Sequence, residues 1–317
     1  MRRYLFARFV LLVPVLFGVS VVTFSLIRLV PGDPVSVVLG PDVRARPEDI
    51  AAIQAAFGLD EPAPVQYVRW VGHLLSGDLG TSFRSGRSLT QELALRLPVT
   101  IELTLLAAVL GTIPALLVGI LAAVRRNSSA DYVATIGTLL GVSVPNFLLA
   151  TLLVLVFSLW LRWLPPIGYV ELRADPLANL RTMLLPALSL GLPFAAVMMR
   201  ITRSSVLEVL GQDHVRVARA KGLSTAGVLS RHVLNNAAIP VITVGGIQIA
   251  RLLGGAVIVE AIFGLPGIGR YVFEAISTRD YPVVQGVTLV VALAFVLVSL
   301  VVDILYAVVD PRLRMAN

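Results

Sequence analysis

The sequence predicts an all-α integral membrane protein with six transmembrane helices, and three observations carry that expectation. Charged residues make up only 14% of the chain, against about 25% in an ordinary soluble domain. Mean hydropathy is +0.87. Six segments, at about 9–29, 98–124, 132–161, 182–204, 237–262 and 283–308, stay apolar for the roughly 20 residues that a crossing needs. Backbone groups in hydrocarbon must be satisfied within their own segment, so such runs form helices.

The first segment lies within "MRRYLFARFVLLVPVLFGVSVVTFSLIRLVPGDP". It exceeds the roughly 7–15 residues of a signal-peptide core, and no small-residue cleavage pattern follows, so an uncleaved span is expected. The loop after it, about 30–97, is expected to fold as a small helical cap. "PEDIAAIQAAFG" places Ile50, Ile53 and Phe57 on one helical face, and "PVQYVRWVGHLL" does the same with Tyr67, Trp70, Val71 and Leu74. A docking surface for an external partner is the alternative use of this loop. In the second span Ala107, Gly111, Ala115, Gly119 and Ala123 recur every four residues, a stripe that admits a close helical neighbour, and Gly137 with Gly141 repeats the device in the third. Pro114, Pro145, Pro186 and Pro193 are expected to kink their helices, with neighbouring helices satisfying the freed carbonyls.

Orientation follows from the cations. With the N-terminus inside, the inner segments hold Arg2, Arg3, Arg8, Arg125, Arg126, Arg200, Arg203, Arg216, Arg219, Lys221, Arg231, Arg312 and Arg314. The two short outer loops hold Arg162, Arg173, Arg181, Arg270 and Arg279. This positive-inside bias predicts that both termini are cytoplasmic; the long first loop does not count, since long loops cross largely regardless of charge.

The chain carries no engine of its own. A phosphate-cradling loop ends in Gly-Lys, but the single lysine, Lys221, follows Ala220. Ion-driven carriers bury carboxylates near the midplane, whereas Glu102, Glu260 and Asp303 fall near span ends. His73, His214 and His232 lie in loops or interfacial stretches, which leaves no intramembrane catalytic pair and a poor metal-ligand set. Cysteine is absent, excluding disulfides and thiol chemistry. The net charge of +7 is dispersed among apolar segments, so no nucleic-acid surface is expected.

Between the fourth and fifth segments runs "GQDHVRVARAKGLSTAGVLSRHVLNNAAIP". Asp213–Lys221 is expected to form a short helix closed by Gly222. One reading is a solvated loop held inside by its charge. The other is a helix that lies in a groove of a cytoplasmic partner and passes motion to the spans.

This stretch resembles the cytoplasmic coupling loop of ABC importer permeases, in the dipeptide/oligopeptide (peptide/nickel) branch with the long first external loop. "LVPGDPV", "GLDEPAPVQYVRW" with "SGDLGTSF", "RLPVTIELTL", "SVPNF", "LPPIGY", "GGAVIVEAIFGLPGIGRYVFEAISTRDYPVVQG" and "DILYAVVDPRLR" extend the resemblance over nearly the whole chain. The wider family's Glu-Ala-Ala is replaced here by Arg216-Val217-Ala218, and its later Ile-x-Leu-Pro by His232-Val233-Leu234-Asn235.

The resemblance implies a type I ABC importer fold: residues 1–97 as an added helix and external region, 98–308 as the five-helix core, and 309–317 as a cytoplasmic tail. It implies a homologous second permease, two cytoplasmic ATPase subunits (or a fused pair) that bind ATP and Mg, an external substrate-binding protein, a peptide substrate and surrounding lipid. Asp213, Arg216, Ala218, Arg219, Ala220, Lys221 and Gly222 would couple to the ATPase. No catalytic or metal-binding residue is expected in this chain. Nickel chelates, glutathione or haem are alternative cargoes, and an ATPase-independent carrier or channel is the alternative mechanism. Arg251, with Gln248 and Asn146, is the candidate translocation path. An arginine inside a span costs about 2.5–3.5 kcal/mol on insertion scales, so it should face the bundle or an aqueous path and meet a peptide's carboxylate or carbonyls. Contact with another helix or the partner permease is the alternative role for Arg251, and glue between helices is the alternative for Asn146 and Gln248.

Overall fold

The computed structural model describes residues 2–29 and 60–309, with side chains at the two edges of the first range and at the end of the second left out of the description. The expected helix bearing Ile50, Ile53 and Phe57, the side chains of Arg2, Arg3, Arg8 and Asp303, and Arg312 and Arg314 of the tail lie outside the described residues. Among the described residues the chain is helical, with a single isolated bridge, Thr81 to Ser88.

In chain order the helices are α1 (Arg2–Leu29), α2 (Ala63–Leu75), α3 (Leu89–Val124), α4 (Ser129–Ser143) and α5 (Asn146–Leu153), the last running on as a π-helical stretch to Trp160. Next come α6 (Pro176–Leu210), α7 (Asp213–Ala220) and α8 (Thr225–Val228), which continues through a π-helical stretch into α9 (Leu234–Phe263). Helices α10 (Ile268–Thr278) and α11 (Tyr281–Val309) complete the described part. Leu89–Val124, Pro176–Leu210, Thr225–Phe263 and Tyr281–Val302 are each long and apolar enough to cross a membrane. Counting Ser129–Ser143 with Asn146–Trp160 as one broken span gives a fifth. The expected first span is helical, and its described apolar stretch is Leu12–Ser25.

The third expected span is where the structure departs from the sequence reading. Instead of a kink, the axis turns by 103° between its two halves. Proline pushes the residue before it out of the helical region. Val144 accordingly sits at φ −90°, ψ 120° and ends α4, while Pro145 stands ahead of α5. Pro186 and Pro193 stay within the continuous α6, where the surrounding helices hold the axis together.

Two compact units make up the chain. One is built around Ile101–Leu265 and takes in the described residues from Phe295 onward; the other takes in Pro266–Ala294 and the described residues between Phe9 and Thr100. In the first unit α6 is the hub, with α4, α5 and α9 packed on it. The small-residue stripe of α3 does what its spacing predicts. A methyl added at Gly111 would come within 2.5 Å of Phe194 Cδ1, and one at Gly119 within 2.8 Å of Thr202 Cβ. On α4 only half of the predicted device is used: Gly141 abuts Ala196, while a methyl at Gly137 would meet nothing within 4 Å.

The second unit holds α2 against α1 through aromatic contacts. Tyr67 lies edge-on to Phe24 at 5.1 Å, Trp70 is 5.7 Å from Phe24, and the Tyr67 and Ser20 hydroxyls share a 2.8 Å hydrogen bond. Asp280, just before α11, gathers the segment that precedes α3. Ser82 Oγ donates to its carboxylate at 2.5 Å, and the Phe83 N–H donates at 3.1 Å.

Candidate functional site

Helix α7 forms where the sequence places it. Gln212 is extended, Asp213 supplies a negative charge to the first turn, and Gly222 ends the helix at φ +82°, a backbone conformation that residues with a Cβ avoid. The Leu223 N–H then closes back onto the Ala218 carbonyl at 3.3 Å. Two residues three apart, Val215 and Ala218, are buried at 0% and 5% exposure. They root the helix in an apolar cluster with Ala123 of α3, Val206 and Val209 of α6, Val228, Val233 and Ala237. A push on α7 is therefore a push on the ends of α3, α6 and α9.

The opposite face of α7 is polar and open. Arg216, Arg219, Ala220 and Lys221 are all exposed. Arg216 Nη1 donates to Asp213 Oδ1 at 3.2 Å, but the two side chains are 74% and 93% exposed, so neither is committed to the other. Of the residues expected to couple, Ala218 belongs to the buried root, and the cations and Ala220 to the free face.

Close by in sequence, but rigid, is a joint that sequence reading missed. Asp131 in the first turn of α4 accepts from both Nε and Nη2 of Arg203 on α6, the latter at 2.8 Å. The Asn127 N–H adds a third bond to this carboxylate at 3.0 Å, from a residue at φ +62°. Three donors on a carboxylate only 5% exposed make a fixed hinge pin between two helices. A second missed cluster centres on Glu102, which accepts from Asn179 Nδ2 at 2.6 Å and from the Tyr169 hydroxyl at 3.0 Å. Burial, and then the bond to Glu102, push the Tyr169 phenol up to about 12, so it remains a donor at every physiological pH.

Arg251, Gln248 and Asn146 do come together. They line one cavity of about 200 Å³, whose other walls are apolar residues that include Leu190, Pro193, Phe194 and Leu252. Arg251 Nη1 donates to Gln248 Oε1 at 3.2 Å, one turn away on the same helix. Asn146 reaches across from α5, its Nδ2 lying 3.3 Å from where a methyl at Gly255 would stand. Among the described residues, neither amide makes a hydrogen bond between helices. Glu260 is fully buried while Arg251 is exposed, in keeping with their half-turn difference in phase. No group of metal-ligating side chains occurs among the described residues.

Residues 115–315 match the family of the binding-protein-dependent transport system inner membrane component, and residues 1–104 match the N-terminal part of such membrane components. A dipeptide transport system permease protein of Alkalihalophilus pseudofirmus is 42% identical, covering 99% of this chain and 100% of its own. The chain belongs to the binding-protein-dependent transport permeases.

A putative peptide transport system permease of Brucella abortus is 45% identical over 95% of this chain and 96% of its own. A glutathione transport system permease of Salmonella paratyphi A is 41% identical over 99% of each chain. Among solved structures, the methionine ABC transporter MetNI in an inward-facing form matches with TM-score 0.54 at 16% identity, covering 69% of this chain and 96% of its own. An amino acid ABC transporter matches with TM-score 0.50 at 18% identity, over 68% and 93%. These matches fix the fold as that of a type I ABC importer permease, and the chain as a multi-pass membrane protein of a transport system.

Proposed function

We propose that this permease imports di- or oligopeptides by alternating access, driven by separate ATPase subunits that act on the segment 205–236. The observation that carries the reading is α7, a short helix with a buried apolar root and an exposed cationic face. ATP-driven closure of the ATPases would displace α7. Through its root it would tilt the ends of α3, α6 and α9, and hydrolysis would reverse the change. Asp213, Arg216, Arg219, Ala220, Lys221 and Gly222 present the contact, and Ala218 with Val215 transmits it.

The peptide substrate is supported by the dipeptide and peptide permeases among the relatives. Glutathione is a second reading, favoured by the Salmonella relative, and is itself a small carboxylate-bearing peptide. The working assembly in this reading holds a homologous second permease, two ATPase subunits or a fused pair carrying ATP and Mg, and an external binding protein. Both termini are cytoplasmic, residues 1–97 form the added helix and external region, 98–308 the core, and 309–317 the tail.

The test is co-purification followed by uptake. The tagged permease should bring down an ATPase, and vesicles with the full assembly should accumulate peptide only when ATP is inside. Uphill uptake by vesicles holding this polypeptide alone would refute the reading.

A further inference from the structure

We infer that the cavity at Arg251 is a subsite for the C-terminal carboxylate of a peptide in transit, an inference that rests on the peptide-import reading. Three features of one place converge on it. Arg251 is the sole cation of α9, set well within a helix whose composition belongs in hydrocarbon. An arginine there is costly unless something compensates it. Among the described residues no carboxylate pairs with it, and its hydrogen-bond partner is the neutral Gln248. A guanidinium carries five N–H donors in a planar fork. Gln248 engages one nitrogen, which orients the fork and leaves its remaining donors for a ligand.

A carboxylate is the anion that matches such a fork, through two parallel bonds. The rest of the cavity suits the residue to which that carboxylate would belong. Leu190, Pro193, Phe194 and Leu252 provide an apolar wall for a side chain, and the Asn146 amide offers a donor and an acceptor for the last peptide unit. Size favours an end over a whole ligand. A volume of about 200 Å³ is below the roughly 300–1,000 Å³ of pockets that enclose a drug-sized molecule. It holds a terminal residue while the remainder of the peptide extends outward.

The subsite discriminates by what it rejects. A C-terminal amide brings N–H groups against the guanidinium, where donor faces donor. Losing a charge-assisted hydrogen-bonded pair of this kind corresponds to roughly tenfold or more in affinity.

The decisive experiment uses the complete transporter in proteoliposomes, with the binding protein saturated by each probe so that its own preference drops out. Trialanine, trialanine amide and N-acetyl-trialanine are the probes. The wild type should carry trialanine about tenfold faster than its amide and treat the acetylated peptide like trialanine. Arg251→Ala and Arg251→Gln should bring the acid-to-amide ratio close to one, while Arg251→Lys keeps most of it. An unchanged ratio in Arg251→Ala, with trialanine still imported, overturns the subsite and leaves peptide import standing. Loss of the second permease from the purified Arg251→Lys assembly overturns it too, because Arg251 would then be an assembly contact. Failure of the wild type to carry any peptide, blocked or free, removes both readings together.

Discussion

Two Arg–Asp pairs in this chain use the same chemistry for opposite ends. Arg203 and Asp131 join α6 to α4 through two parallel bonds, with the carboxylate 5% exposed. Arg216 and Asp213 share one 3.2 Å contact on the surface of α7, with side chains 74% and 93% exposed. The first pair is buried at its carboxylate and geometrically locked by two parallel bonds, so it behaves as a joint. In the second, water competes with the pairing, so the arginine can exchange its partner for one on another protein. Under the proposed mechanism, a subunit moved from outside needs both kinds of contact: fixed joints that carry force, and a loose cationic face that receives it.

Variants can break or sharpen this contrast. The largest effect is expected at the root of α7. Val215→Asp would place an unpaired charge at a site with 0% exposure, and ATP-dependent uptake should vanish together with a loss of stability of about 3–5 kcal/mol. Thermal unfolding in detergent and vesicle uptake would read the two effects. Asp131→Ala comes next. It strands the partly buried Arg203 and should cost about 3–5 kcal/mol, and the further change Arg203→Met should recover part of it. Full stability in Asp131→Ala would show that the pair is no joint.

A smaller effect is expected from packing. Gly111→Val presses on Phe194 and the Gly191 carbonyl and should cost about 1–3 kcal/mol, whereas Gly137→Val, with open space around it, should leave the isolated subunit's unfolding temperature unchanged. Least of all, Asp213→Ala should leave stability within error of the wild type, because the pair it removes is exposed.

The same particulars mark what sequence could reveal. Spans were legible because hydrocarbon demands long apolar helices, and α7 was legible because its start, length and terminal Gly222 are local properties. Pro145 could not be told from Pro186 by composition. Whether a proline breaks or merely bends a helix depends on the helices around it, and α6 is the hub that α4, α5 and α9 surround. Gly137 and Gly141 share one motif, yet only Gly141 has a neighbour. Asp280 and its Ser82 donor stand 198 residues apart, Glu102 and Asn179 77, and Asp131 and Arg203 72. Such pairings carry no periodicity and emerge only once the chain has folded. In the Arg251 cavity, the three polar residues were visible as outliers in apolar runs, but the apolar wall from Leu190 to Phe194 read only as more span.

The central claim is that the outer face of α7 is where a separate ATPase takes hold. It is tested most directly by reversing that face alone, as Arg216→Glu, Arg219→Glu and Lys221→Glu in one chain, and measuring ATPase retention and uptake on the same preparation. These residues are exposed, so the subunit should insert and unfold like the wild type while the ATPase is lost and ATP-dependent uptake falls to background. An ATPase that still co-purifies, with uptake intact, would contradict the account.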